Sequence, residues 1–253
     1  MATVNDSYII ELERQRAELE GLLRDKGVDI ADDETLNTLI PKVSKIGYND
    51  VMRSIFDGTI EEFVDDKITQ IKLYAFHSCK NLRKVIVPNV STVYGQAFSG
   101  CSALVEVDLS GVVSLSGMNT SIFQNCTSLT EIALDNMPEF VNAAGSAYNG
   151  CTALKRISHL NAKTYNPTSS TFASCGSLDT FVFGQDCTLS SVTVVSGIPK
   201  VKTGECFFYF PKSLVEKKKT DTNWSTFADL IRAIEDYPEV LEWAVKNGYV
   251  SEV

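Results

Sequence analysis

Five cysteines recur at nearly constant intervals through the middle of the chain: Cys79, Cys101, Cys126, Cys151 and Cys175 are separated by 22, 25, 25 and 24 residues. Each sits in one local frame. An aromatic residue stands three positions before it (Phe76, Phe98, Phe123, Tyr148, Phe172), and a leucine three positions after it (Leu82, Leu104, Leu129, Leu154, Leu178). Six positions after it comes Val85, Val107, Ile132, Ile157 or Phe181, and eight after it Val87, Leu109, Leu134, His159 or Phe183. A unit this short cannot bury an apolar face by itself, so the pattern demands that successive units stack into a solenoid.

Within a unit, the stretch after the leucine alternates, as in Lys84-Val85-Ile86-Val87. Alternation predicts a strand with one face inward, and hence a parallel sheet built from one strand per coil. A second apolar stretch carrying Val93, Leu115 or Val141 is placed to form the opposite wall, and Gly95, Gly111, Gly117, Gly145 and Gly184 supply corners. The residues five and seven past each cysteine then point outward: Lys84 and Ile86, Glu106 and Asp108, Glu131 and Ala133, Arg156 and Ser158, Thr180 and Val182. They form the candidate ligand-binding face. A merely solvated face is the competing interpretation, since no aromatic anchor stands among them. One cysteine per coil, with no CxxC pair, gives a ladder of reduced, buried thiols rather than a tetrahedral metal set; Cys187 and Cys206 fall outside the frame.

The frame Phe98-Ser-Gly-Cys101-Ser-Ala-Leu104-Val-Glu-Val107-Asp-Leu109 resembles the BspA-type leucine-rich repeats of bacterial surface proteins, protists and bacteriophages. The resemblance covers roughly residues 48–235. It extends to a closing segment, with Phe210-Pro-Lys-Ser-Leu214, Thr222-Asn-Trp224 and Ile231-Arg-Ala-Ile234 similar to the end such arrays have. It implies adhesion and recognition, with no catalytic set to carry over. His159 departs from the frame, and residues 189–195 lose it.

A formal charge of −9 argues against phosphate-backbone binding, so nucleic acid is not an expected partner. The basic run Lys217 to Lys219 reads as the exposed side of a short helix. The start, Glu11-Leu-Glu-Arg-Gln-Arg-Ala-Glu-Leu-Glu20, is not a secretory leader, and no apolar run approaches a membrane span. His77 and His159 are isolated, no HExxH, GxSxG, Walker or dinucleotide glycine pattern occurs, and neither enzyme activity nor a cofactor is expected.

Three regions follow: 1–47, a helical segment for oligomerisation or attachment; 48–206, the solenoid; and 207–253, a C-terminal cap with a last strand and helices. The fold class is thus a mainly β solenoid with helical ends. Residues 7–26 read as a helix on which two heptad registers compete, one through Ile9, Leu12, Leu19 and Leu23, the other through Leu12, Leu19 and Leu22. Either a short coiled coil, most simply a homotrimer, or an amphipathic helix packed on its own chain fits them. A second helix starts near Asp32 or Asp33, and Thr35-Leu-Asn-Thr-Leu-Ile-Pro-Lys-Val43 resembles the N-terminal region of phage tail and fibre proteins. Trp224, Phe227, Leu230, Ile231 and Ile234 lie at helical spacing, and Pro238 to Asn247 predicts a helix closed by Gly248. The expected function is a non-enzymatic virion protein: a tail or fibre element with virion partners at its N-terminal segment and a host surface protein or glycan on the repeats. The alternatives are a bacterial adhesin of the same family and a cytoplasmic interaction protein.

Overall fold

The computed structural model describes residues 58–116, 121–141, 145–168, 170–195 and 198–250, with Glu20, Arg24, Ile30 and Ile55 besides. The chain divides into two compact units, Met1–Asp57 and Gly58–Val253, and the second carries the solenoid. The two N-terminal helices expected from sequence, and with them Ile9, Leu12, Leu19, Leu22 and Leu23, lie outside the described residues.

Six coils each contribute two short strands. One wall receives β1 (Glu62–Val64), β3 (Lys84–Ile86), β5 (Glu106–Asp108), β7 (Glu131–Ala133), β9 (Arg156–Ser158) and β11 (Thr180–Val182). The other receives β2 (Gln70–Ile71), β4 (Thr92–Tyr94), β6 (Ser114–Ser116), β8 (Glu139–Val141), β10 (Thr164–Asn166) and β12 (Thr188–Leu189). Every pairing is parallel and stacks equivalent frame positions: Val85 on Val107, Ile132 on Ile157, Phe181 beyond them. The first wall runs β1-β3-β5 and then β7-β9-β11, continuing into β13 (Phe207–Phe210) and β14 (Ile231–Ala233); the second runs β2-β4-β6 and then β8-β10-β12.

The repeated frame fills the space between the walls. The five frame leucines are completely buried, each contributing on the order of 1.5–3 kcal/mol. Phe76, Phe98, Phe123, Tyr148 and Phe172 form one stack, with ring centroids 5.3–5.7 Å apart and interplanar angles of 1–8°. The thiols are donors as well as filler: Cys101, Cys126, Cys151 and Cys175 donate to the carbonyls of Phe76, Phe98, Phe123 and Tyr148 at 2.9–3.2 Å, linking each coil to the one before. All seven cysteines are reduced and buried. Burial pushes the thiols of Cys101, Cys175 and Cys187 up to about 12.

The sharp turn falls one residue before each cysteine, where Ser78, Gly100, Asn125, Gly150 and Ser174 adopt left-handed φ of 60–79°. The corner glycines serve a second purpose. A Cβ on Gly111 would lie 2.2 Å from the Pro88 carbonyl oxygen, so two coils touch there through backbone.

Beyond β12 come α1 (Val192–Val195), α2 (Pro199–Thr203), α3 (Val215–Thr220), 3-10 turns over Trp224–Leu230 and Ile234–Asp236, and α4 (Pro238–Lys246). Two expectations are corrected in this segment. The stripe from Trp224 to Ile234 is not one helix, because Ile231–Ala233 pairs with the free edge of β13 and takes extended conformation. Nor is the lysine run wholly exposed. Lys218 is 1% exposed, donates to the Cys187 carbonyl and pairs with Asp186 and Asp221. Its neighbour Lys217 also pairs with Asp186, and these two lysines hold the Asp186 carboxyl below its usual range. Trp224 is fully buried against Phe183, Phe208 and Phe210, and its indole N–H shares the Cys187 carbonyl.

Candidate recognition surface

The outward positions of the first wall do not make one continuous exposed ladder. Glu106 is exposed; Lys84, Ile86, Asp108, Glu131, Ala133 and Arg156 are half-buried. Ser158, Thr180 and Val182 are buried, at 0%, 9% and 0% exposure, which corrects the expectation that they face solvent. The cause is α4. Its buried side chains Val240, Trp243 and Ala244 pack with Tyr249 on Leu160, Val182, Tyr209 and Ile234, so the helix covers the outer face of the last coils. Gly248 ends the helix with φ of 100°, the Tyr249 N–H returning to the Ala244 carbonyl. The Tyr249 hydroxyl then donates to Glu235 at 2.7 Å. Arg156 lies at the edge of this cover, its guanidinium 6.0 Å from the Trp243 ring centroid.

A signal for the cover existed in the sequence. Val182 and Tyr209 are large apolar residues at outward positions, as Val64 and Ile86 are in the first coils, whereas the coils between place Asp108, Ala133 and Ser158 there. An apolar outer face requires something to lie on it.

What remains uncovered belongs to the earlier coils and is predominantly acidic. Lys84 pairs with Glu106 across β3 and β5 at 2.9 Å; the hydrogen bond it donates to Glu106 raises the lysine pKa. Asp108 accepts from the Ser110 N–H and so fixes the turn after β5. Asp135 is held more tightly: its Oδ1 accepts from the Leu160 N–H at 2.8 Å and from the Ser158 hydroxyl. Its Oδ2 is buried without a hydrogen-bond partner, and desolvation raises its pKa despite those two donors.

Between β5 and β7 the wall opens. Among the described residues these two strands share no ladder, although every other adjacent pair in the wall does. Their flanks remain joined: the Phe98 N–H donates to Ile122 at 2.9 Å, Thr127 Oγ1 to Ser102 at 3.3 Å, and the Asn136 amide to Ser110. The opening is a cleft of about 700 Å³ with Glu106, Asp108, Glu131 and Asp135 around it and Trp243 and Lys246 of α4 at one side. Part of its lining is apolar. Val107 is half-buried, whereas Val85, Ile132, Ile157 and Phe181 at the same frame position are at most 2% exposed. Nothing in the sequence frame marked this gap. Among the described residues, no three His, Cys, Asp or Glu side chains are grouped as a metal site.

A family model for the BspA type leucine rich repeat region matches residues 69–196 in six copies. Similar solved structures include a leucine rich cell surface protein from Faecalibacterium prausnitzii A2-165, 23% identical over 55% of this chain and 35% of that one, with a TM-score of 0.42. A leucine-rich repeat protein from Bacteroides ovatus ATCC 8483 is 22% identical over 51% of this chain and 39% of its own, with a TM-score of 0.36. The T. pallidum leucine rich repeat protein is 16% identical, covering 74% of this chain and 69% of that one, with a TM-score of 0.37. The chain thus spans well under half the length of the first two. No curated protein matches it.

Proposed function

Because this chain belongs to the BspA-type leucine-rich-repeat family, we propose that it is a non-catalytic recognition module that binds a macromolecular partner through the uncovered outer face of β3, β5 and β7. One observation carries this reading: α4 covers the outer face of the last coils and leaves the charged positions Lys84, Glu106, Asp108 and Glu131 accessible on a rigid array. A rigid repeat surface binds without a large ordering cost, which favours extended contact. In this reading the segment after Cys206 serves as the array's cap. Both the β13–β14 pairing and the burial of Trp224 support that role.

The finer assignment is a virion protein of a tail or fibre, with Ile9, Leu12, Leu19, Leu22 and Leu23 forming a trimer and the N-terminal segment meeting other virion proteins. Its support is the heptad pattern and the tail-like sequence that follows it. A host surface protein or glycan is then the partner of the repeats. A bacterial surface adhesin is the second reading, compatible with the family. Mass spectrometry of purified phage particles separates the two, since a virion protein is a stoichiometric component and an adhesin is absent. The recognition reading itself is tested with Glu106→Lys combined with Glu131→Lys. Attachment to the partner should be lost while the thermal midpoint stays nearly unchanged; normal attachment by the double variant refutes it.

A further inference from the structure

The cleft between β5 and β7 joins two features that call for one kind of ligand. Part of its lining is hydrocarbon: Val107, half-buried where the ladder is missing, with Ile86 and Trp243. Four carboxylates also line it, Glu106 and Asp108 from one coil and Glu131 and Asp135 from the next, against one lining cation among the described residues, Lys246; Glu106 is in addition paired with Lys84 at its rim. A long side chain with an apolar stem and a cationic, donor-rich head satisfies both at once.

We propose that this cleft receives a basic side chain of the partner, an arginine in preference to a lysine. The stem lies on Val107 and the guanidinium is held between the carboxylates of the two coils. Arginine is favoured because its planar head carries five donors and can serve carboxylates on two sides, whereas an ammonium is a compact point charge with a larger hydration cost. A metal ion suits the site poorly, as no three carboxylates among the described residues are grouped to chelate one. A neutral sugar would bring no counter-charge to these carboxylates. This inference rests on the recognition reading in that a partner must supply the side chain, but the cleft can be tested without that partner.

The probe is the peptide acetyl-Gly-Arg-Gly-amide, titrated into the isotope-labelled full chain and followed by backbone amide resonances. The expected result is saturable shifts confined to the cleft at Val107, Asp108, Ile132 and Ala133. They should weaken in the lysine peptide, be absent in the norleucine and glutamate peptides, and be screened by salt at about 0.5 M. Asp108→Asn with Glu131→Gln removes charge while keeping shape, and should weaken binding by roughly tenfold or more. Val107→Phe fills the floor and leaves the carboxylates in place; it should block the same shifts. Both variants should retain the wild-type resonance dispersion elsewhere. Equal shifts with the norleucine peptide, shifts outside the cleft, or undiminished binding by both variants overturns the proposal. If arginine fails here while the Glu106→Lys, Glu131→Lys variant still loses its partner, the cleft assignment falls and the recognition reading stands.

Discussion

Replacing Trp243 by alanine separates a helix that is held by its own chain from one that forms independently. The indole is 6% exposed and packs, with Val240 and Ala244, on Val182, Tyr209 and Leu160. Truncating a buried tryptophan costs about 3–5 kcal/mol, and the contact with Arg156 at 6.0 Å adds about 0.5–1 kcal/mol at a partly exposed site. Helix α4 spans nine residues, Pro238–Lys246, too short to persist alone in water. The loss therefore appears as local release of the helix, not as uniform weakening of the array. A deficit of about 3 kcal/mol raises the open fraction by roughly a hundredfold. In hydrogen exchange, amides from Leu241 to Tyr249 should lose that much protection, while those of β9 and β11 keep theirs. Val245→Ala, at a residue 51% exposed on the same helix, should change little, within about 0.5 kcal/mol. Unchanged protection of α4 in the Trp243 variant refutes the covering role assigned to this helix.

The thiol ladder predicts that native Cys101, Cys126, Cys151 and Cys175 react with a thiol reagent only as fast as the array opens, and rapid stoichiometric labelling at neutral pH contradicts this. Cys126→Ser buries a more polar hydroxyl in the thiol's place and should cost about 1–3 kcal/mol by chemical denaturation. Burial lowers the His159 pKa from 6.5 to about 3. The unfolded chain therefore takes up this proton first, and stability is present above about pH 6.5 and falls toward pH 3, by at most about 1.4 kcal/mol per pH unit. His159→Met should flatten that part of the profile, and an unchanged slope counts against a buried neutral imidazole. Gly111→Ala sets a Cβ 2.2 Å from the Pro88 carbonyl oxygen; thermal denaturation should register a loss of about 1–3 kcal/mol.

The frame around Cys101 was legible because each of its positions has one environment repeated in every coil, so aromatic, thiol and leucine recur at fixed spacing. The outward side lacks that constraint. Val182 is covered by α4, roughly sixty residues further along the chain, and pattern within a coil, though it sets an apolar residue at that outward position, does not say which segment lies on it. Ile231 shows how tertiary pairing overrides local period. It stands at helical spacing from Phe227, yet the exposed edge of β13 draws it into a strand. The opening beside Val107 was less legible still. Cys101 to Cys126 spans 25 residues, as does Cys126 to Cys151, and of these two coil boundaries only the second closes its ladder in the first wall.

At the turn before each cysteine the bonds between coils have a direction. The Phe76 and Ser78 N–H groups donate forward to Ala97 and Ser99, Phe98 and Gly100 donate forward to Ile122 and Gln124, and the thiols of Cys101, Cys126, Cys151 and Cys175 donate backward to the coil before. At that turn the interior coils thus present the same donors and acceptors on their two flanks, even across the boundary where β5 and β7 share no ladder. A gene could lose or duplicate one whole unit of about 25 residues and rejoin flanks that fit, whereas a partial unit would set aromatic against cysteine and leave both without partners. Lineages of this protein should therefore differ in length by whole coils. A coil gained or lost ahead of β7 would move the acidic face relative to α4, changing which partner fits without altering the chemistry of any single unit.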